Sequence, residues 1–280
     1  MHPKLIAYTQ RFQSPKSSNS QPPAFDKFFT DFTPEEHFEK LPFLFDIENF
    51  VIRALLAKLK SQKICIYADY DTDAVTATGV VYHGLLDLGF DSSLIDFYTP
   101  DRFTEGYGIN GEAVARLVTI FDLIISVDCG INSVDEAQII QDSENCDLLI
   151  TDHHHLHNKV PDCIGVVNPR LGEYYGSFYN AKIKKKSKDK TKSEQDFLAK
   201  EEDAPKSSKP PVTNPKILKE LNTLLDKNTQ IKLQEYLTKI QKIKEMPNYN
   251  NYLSSSVTGV GVAWFCLVWL GYAMDYLKIE

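Results

Sequence analysis

Residues 64–73 of the chain read ICIYADYDTD. The first five residues are apolar or aromatic, which predicts a short buried strand. Carboxylates then follow at every second position, as Asp69, Asp71 and Asp73. Like charges this close repel and raise one another's pKa values, so a stabilising positive partner is expected. A hard divalent cation with oxygen ligands is one such partner, and a solvated acidic turn is the alternative.

Two further apolar runs end in residues of the same kind. Side chains that can bind metals follow residues 123–127 and 148–151: Asp128 after the first run, and Asp152, His153 and His154 after the second. The carboxyl ends of parallel strands meet at one edge of a sheet, where open α/β proteins bind ligands. We therefore expect these groups to lie together. Carboxylates mixed with neutral imidazoles suit Mn²⁺, Mg²⁺ or Zn²⁺.

The order of apolar patterns predicts the fold. Strands are expected at residues 63–68, 94–98, 123–127, 148–151 and 164–167. Helices are expected at residues 47–59, 75–88, 111–119 and 134–141, with Asp46 capping the first of them. Strands that alternate with helices indicate an α/β fold, in which helices cover both faces of a parallel sheet. Two more amphipathic stretches within residues 217–243 predict a helical hairpin.

The motifs resemble a known family. DYDTDAVT (69–76), VDCG (127–130) and TDHH (151–154) are similar, in order and spacing, to the first three motifs of the DHH phosphoesterase superfamily. Three more segments resemble its RecJ branch, the single-strand-specific 5′→3′ DNA exonucleases: YTPDRFTEGYG (98–108), LPFLFD (41–46) and VNPR (167–170). The resemblance implies a nuclease that uses two divalent ions, Mn²⁺ or Mg²⁺.

The resemblance also implies roles for individual residues. The implied metal ligands are Asp69, Asp71, Asp73, Asp128 and His153, with Asp128 bridging both ions. The implied catalytic residues are His154, which lies against the scissile phosphate, and Asp152, which orients a neighbouring imidazole. Apart from the resemblance, we expect Arg102 to be the cationic residue that helps to stabilise charge on the phosphate.

Four residues are expected to contact a single strand of DNA: Arg102, Tyr107, Asn168 and Arg170. Tyr107 would act by stacking on bases. Each of the first two has a structural alternative. Arg102 could pair with Asp101 or Glu105, and Tyr107 could belong to the core.

Two parts of the family pattern are absent. RecJ-like proteins carry a fourth motif, with a further metal-binding Asp, soon after a glycine-rich helix that residues 258–263 resemble, and then a second domain with a nucleic-acid-binding motif. The sequence up to Glu280 contains neither. We expect the chain to be either the N-terminal part of a longer enzyme, with a separately encoded C-terminal portion as partner, or a degenerate relative.

The expected function is metal-assisted hydrolysis of single-stranded DNA in repair and recombination. One alternative is a phosphodiesterase of the same superfamily that acts on short oligonucleotides or cyclic dinucleotides. Another is a catalytically incomplete scaffold that binds nucleic acid. A third is a structural zinc site on His153, His154, His155 and His157, which the spacing disfavours because consecutive residues rarely close a tetrahedron.

Length and composition, together with the family resemblance, give the expected domain organisation. The 280 residues are 42% hydrophobic, enough for one substantial core. We expect a disordered segment at 1–24, a DHH domain at 25–180, a lysine-rich linker with a helical insertion at 181–251, and the start of the resumed domain at 252–280. The net charge of −7 is unusual for a protein that contacts phosphates, and bound cations would offset part of it.

Cysteines and hydropathy indicate the compartment. The five cysteines form no CxxC pair, and residues 1–23 lack the charged start and apolar stretch of a signal peptide. A reducing cytoplasm is therefore expected. Residues 252–274 are uncharged and long enough to resemble a membrane helix. We interpret them as a core helix and expect no membrane partner.

Overall fold

The computed structural model describes residues 42–157, 159–171, 212–245 and 256–280. The strands within these ranges are β1 (Ile64–Ala68), β2 (Ile95–Tyr98), β3 (Leu123–Val127), β4 (Asp147–Thr151) and β5 (Gly165–Val167). They form one five-stranded sheet in the order β2-β1-β3-β4-β5, and every neighbouring pair is parallel. The predicted α/β fold is confirmed.

Helices connect and cover these strands. They are α1 (Ile47–Leu59), α2 (Thr72–Asp87), α3 (Gly111–Leu117), α4 (Val134–Asp142), α5 (Pro215–Leu224), α6 (Lys227–Glu245) and α7 (Gly259–Leu277). All residues of β1 and β3 are buried. Because successive strand residues point to opposite faces, both faces of the sheet are covered.

Helix α7 is long and strongly apolar. By length and composition alone it could cross a membrane, but 67% of its most apolar window is buried inside the protein. It packs against α1 and α2, and a Cβ added at Gly84 of α2 would lie only 2.4 Å from Leu267 Cδ1. The indole of Trp269 is fully buried and donates a hydrogen bond to the Pro42 carbonyl at 3.0 Å. In this structure α7 is therefore packed as a core helix.

Two local predictions about helix starts are wrong. Asp46 precedes α1 but does not cap it. Its backbone is left-handed (φ 67°), and its side chain accepts no hydrogen bond from the backbone N–H groups of the first turn. The carboxylate instead accepts hydrogen bonds from Asn49 Nδ2 and Val166 N, both at 2.6 Å, and so joins α1 to β5. Helix α2 begins before residue 75 because Asp71 accepts a hydrogen bond from the Ala74 amide and caps it.

Helices α5 and α6 lie where two amphipathic stretches are predicted. Asn214 caps α5, and a buried ion pair between Glu48 and Lys244 links α6 to α1. The expected disordered segment at 1–24 and the lysine run at 182–192 lie outside the described residues. The proposed domain boundaries stay predictions.

Candidate metal centre

Three neighbouring strands end at the same edge of the sheet. Asp69 follows β1, Asp128 follows β3 and Asp152 follows β4. The backbone hydrogen bonds continue past the strand ends, because the amide of Asp128 donates to Thr151 O at 2.9 Å and that of Asp152 to Val167 O at 3.0 Å. This pairing brings the side chains that follow the three strands to one place.

Asp128 is the most constrained of these acids. It is 1% exposed, and its backbone has a φ of 60°, in the left-handed region that few residues other than Gly, Asn and Asp adopt. Its Oδ1 atom has no hydrogen-bond partner. Burial, followed by the nearby charges of Asp73 and Asp71, raises the pKa of Asp128 to about 8. A buried, unpartnered carboxylate oxygen is costly unless a cation binds it.

An imidazole nitrogen of His153 lies close to two of the acids. His153 Nε2 lies 3.1 Å from Asp128 Oδ1, without hydrogen-bond geometry, and 3.8 Å from Asp73 Oδ2. Adjacent ligands of one octahedral ion, with bonds of about 2.1 Å, lie about 3 Å apart. Ligand atoms of Asp128, His153 and His154 all lie within 4.8 Å of one another. The spacing therefore fits a metal ion.

The protonation state of His153 also suits metal binding. Burial, and then the positive charge of His154, lowers the pKa of the His153 imidazole. A lowered pKa favours the neutral ring, which is the form that binds metal ions. The residues present thus fit a cation with mixed carboxylate and imidazole ligands.

His154 is held on both sides. Its Nδ1 atom lies 2.7 Å from Asp152 Oδ1, and its Nε2 atom lies 3.1 Å from the hydroxyl of Tyr107. A carboxylate only accepts, so the Nδ1 atom carries a proton. The hydrogen bond to Asp152 raises the pKa of His154. The ring therefore has a fixed orientation and a raised affinity for a second proton.

Asp152 organises the loop that carries both histidines. It is buried, and its carboxylate also accepts hydrogen bonds from the amides of His153 (2.6 Å), His154 (3.0 Å) and Ile131 (2.9 Å). Burial alone would raise its pKa, but the hydrogen bonds from His154 and Ile131 outweigh burial and hold that pKa below its usual value. Asp152 therefore stays ionised.

The acids after β1 have three different surroundings. Asp69 is buried, its Oδ1 atom has no hydrogen-bond partner, and burial raises its pKa. Asp71 is exposed and caps α2. Asp73 accepts hydrogen bonds on both oxygens from the first two amides of α7, Gly259 at 2.7 Å and Val260 at 2.9 Å.

Of the predicted ligands, the structure groups Asp128 and His153 with His154, and Asp73 lies 3.8 Å from His153; Asp69 and Asp71 are not in the Asp/His group found among the described residues. Sequence reasoning missed the part played by the start of α7. The available signal was Thr258 followed by two closely spaced glycines, a pattern typical of a helix start at a crowded site. Sequence reasoning also missed the hydrogen bond between Tyr107 and His154.

The loop between β2 and α3 carries an exposed aromatic and cationic surface. Phe103 is 93% exposed and Tyr107 is 60% exposed, so a core role for Tyr107 is not supported. The guanidinium of Arg102 lies 5.2 Å from the centre of the Tyr70 ring. The carboxylates that could have paired with Arg102 have other partners: Asp101 accepts from backbone amides, and Glu105 from Tyr98 and Arg116.

Asn168 and Arg170 have structural roles. Asn168 is fully buried and donates from Nδ2 to the carbonyl of His154 at 3.0 Å, which does not support its predicted contact with substrate. Arg170 Nε donates to the carbonyl of His153 at 2.7 Å. Both side chains hold the backbone of the two histidines. His155 and His157 are exposed and lie outside the Asp/His group found among the described residues, so the zinc alternative is not supported.

Comparison with known proteins agrees with this geometry. Residues 63–192 match the DHH family, N-terminal domain. This part of the chain resembles a DHH domain. Two of the proteins that are similar to this chain are named single-stranded-DNA-specific exonuclease RecJ. That of Bacillus subtilis is 45% identical over 112 residues, and that of Thermus thermophilus is 35% identical over 113 residues.

The matched region corresponds to a small part of those relatives. Each match covers 40% of this chain, but only 14% of the Bacillus protein and 16% of the Thermus protein. Among solved structures, the crystal structure of exonuclease RecJ bound to manganese is 30% identical, with a TM-score of 0.42. That likeness covers 46% of this chain and 32% of the solved one.

Proposed function

We propose that this DHH domain binds two divalent cations, Mn²⁺ or Mg²⁺, and hydrolyses phosphodiester bonds of single-stranded DNA, as a RecJ-like 5′→3′ exonuclease in repair and recombination. One observation carries the proposal: the buried Oδ1 atom of Asp128 has no hydrogen-bond partner and lies 3.1 Å from His153 Nε2. The names of the similar proteins support the choice of substrate.

The protein's own residues divide the work. One cation would be held by Asp73, Asp128 and His153. The second would be held with the help of the two remaining acids, Asp69 and Asp71. When bound, divalent cations lower the pKa of a water molecule that acts as the nucleophile, and they neutralise charge on phosphoryl oxygens.

His154 and Arg102 would stabilise charge on the phosphate. Because Nδ1 of His154 is committed to Asp152, a protonated ring presents its Nε2–H group to an incoming anion in place of the Tyr107 hydroxyl. The raised pKa of His154 favours that protonated form. Arg102 supplies a permanent positive charge on the adjoining loop.

The exposed surface of that loop suits a single strand. Phe103 and Tyr107 offer ring faces on which unpaired bases can stack, whereas a duplex keeps its bases stacked on one another. The aromatic side chains would therefore give a preference for single strands. The enzyme would accept any base sequence, because every base has a π-face.

The test is degradation of end-labelled single-stranded DNA by the full chain with Mn²⁺, with Mg²⁺ and with EDTA. We expect metal-dependent release of mononucleotides, with activity of Asp128→Asn reduced to the EDTA background. Asp162→Asn, which changes an exposed carboxylate, is the matched control and should keep wild-type activity. Equal rates for wild type and Asp128→Asn would remove the proposed site.

Further substrates separate the alternatives. Duplex DNA, single-stranded RNA, a dinucleotide and a cyclic dinucleotide are assayed under the same conditions. Cleavage restricted to the short substrates would indicate an oligonucleotide phosphodiesterase. Heat released on Mn²⁺ binding, together with DNA binding but no cleavage, would indicate a scaffold. For the compartment we propose the cytoplasm, which the five unpaired cysteines support.

A further inference from the structure

The first turn of α7 contacts the candidate metal centre. The amide of Gly259 donates to Asp73 Oδ2 at 2.7 Å, and the amide of Val260 donates to Asp73 Oδ1 at 2.9 Å. These are the first two residues of the helix, and amides at a helix start have no partner within the helix. They also carry the positive end of the helix dipole, which stabilises a carboxylate.

The same turn lies against Asp128. A Cβ atom added at Gly259 would lie 2.2 Å from Asp128 Oδ1 and 2.5 Å from Asp128 Cγ, far inside van der Waals contact. Any residue other than glycine at position 259 must therefore displace the Asp128 carboxylate or the helix. The affected oxygen, Oδ1, is the buried atom that lacks a hydrogen-bond partner.

We propose that the first turn of α7 is a positioning element for the metal ligands, an inference that rests on the proposed cation site. The two amides fix the rotation of the Asp73 carboxylate, and the missing side chain at Gly259 leaves Asp128 Oδ1 in place beside His153. Each carboxylate oxygen offers about two acceptor sites, so one amide on each oxygen of Asp73 leaves room for a cation. The turn therefore aids cation binding and does not compete with it.

Two variants test the two contacts separately. Gly259→Ala adds the Cβ that meets Asp128. Val260→Pro removes one amide donor to Asp73, and proline is tolerated in the first turn of a helix, where the lost N–H serves no helical hydrogen bond. Gly79→Ala is the matched control, since a Cβ there meets nothing within 4 Å and the residue also lies on a helix that begins at the site.

Calorimetry of Mn²⁺ binding to the full chain gives the main result. Loss of a residue that orients metal ligands typically weakens affinity by about 10–100-fold. We expect a loss of that size for Gly259→Ala and Val260→Pro, and unchanged affinity for Gly79→Ala. The visible spectrum of bound Co²⁺ should change in the first two variants, because it reports the arrangement of ligands.

A merely structural role gives a different outcome. It would lower the melting temperature in EDTA but leave the metal affinity and the Co²⁺ spectrum as in the wild type, and that result overturns the inference. Tighter binding in either variant also overturns it. If Gly259→Ala does not fold, Val260→Pro decides. Failure of the wild type to bind Mn²⁺ would instead defeat the proposed function, so the two failures are distinguishable.

Discussion

The Nδ1 atom of His154 lies 2.7 Å from Oδ1 of Asp152, and this contact sets the direction in which the imidazole faces the carboxylates. The same oxygen accepts hydrogen bonds from the backbone amides of His153 and His154. One buried carboxylate therefore fixes both the ring and the loop that carries it.

Replacing Asp152 with Asn should lower both cleavage and stability. We expect cleavage to fall by about 10–100-fold, because the ring of His154 loses its fixed orientation. Stability should fall by about 1–3 kcal/mol, because buried amides lose a charged acceptor. Steady-state cleavage and urea denaturation measure the two effects. In a double-mutant cycle, adding His154→Ala to Asp152→Asn should cost little more activity, and additive losses would contradict this account.

Tyr107 offers a hydroxyl to His154 and a ring face to solvent, and two substitutions separate these contributions. Tyr107→Phe removes only the hydroxyl, so we expect affinity for single-stranded DNA to be unchanged while kcat shifts. Tyr107→Ala also removes the ring, and loss of base stacking should weaken DNA affinity by about 1–3 kcal/mol. Fluorescence anisotropy in EDTA measures affinity without cleavage. Equal weakening by both variants would show that the ring does not stack on bases.

Arg102 is expected to neutralise one phosphate. Its replacement by Ala should weaken DNA binding and reduce the slope of log affinity against log salt concentration by about 1. Titrations at several salt concentrations measure the slope. The control is Lys242→Ala, which removes an exposed positive charge on α6. If the two variants change the slope alike, Arg102 acts only through the overall charge of the protein.

Asp46 should make stability depend on pH. Burial, followed by the charge of Glu48, raises its pKa to about 8 in the folded protein, from an ordinary value of 3.8. The folded state therefore binds the proton more tightly, so this contribution to stability is complete below pH 4 and is lost as pH rises to about 8. The slope from this one group is at most about 1.4 kcal/mol per pH unit.

The variant that tests this pH dependence is Asp46→Asn. It should reduce the pH dependence of the unfolding free energy between pH 4 and 8 relative to the wild type, whatever its effect on stability at any single pH. Denaturant titrations in EDTA across that range provide the comparison. Parallel curves for wild type and variant would show that Asp46 does not hold its proton in the folded protein.

Local patterns were sufficient to predict the strands and the edge at which the acids gather. Each strand is a short apolar run, and parallel strands place their carboxyl ends together, so Asp128 and His153 could be expected to meet from the sequence alone. The approximate positions of α1 to α4 followed in the same way from helical spacing.

Contacts between distant residues could not be predicted in this way. The hydrogen bond from Gly259 to Asp73 spans 186 positions, and no periodicity in either segment encodes it. Asp46 illustrates the same limit, because its position before a helix suggests a cap while its partner, Val166, is 120 positions away. Asn168 follows a strand end as ligands do, yet complete burial commits it to the backbone of His154.

The packing of α7 has an optical consequence. The chain's two tryptophans, Trp264 and Trp269, both lie on this helix, whose first residue touches Asp73 and Asp128. Intrinsic fluorescence excited at the indole band therefore reports on one helix of the unlabelled protein. The emission of these two rings would follow events at the carboxylate cluster in real time, with no dye attached.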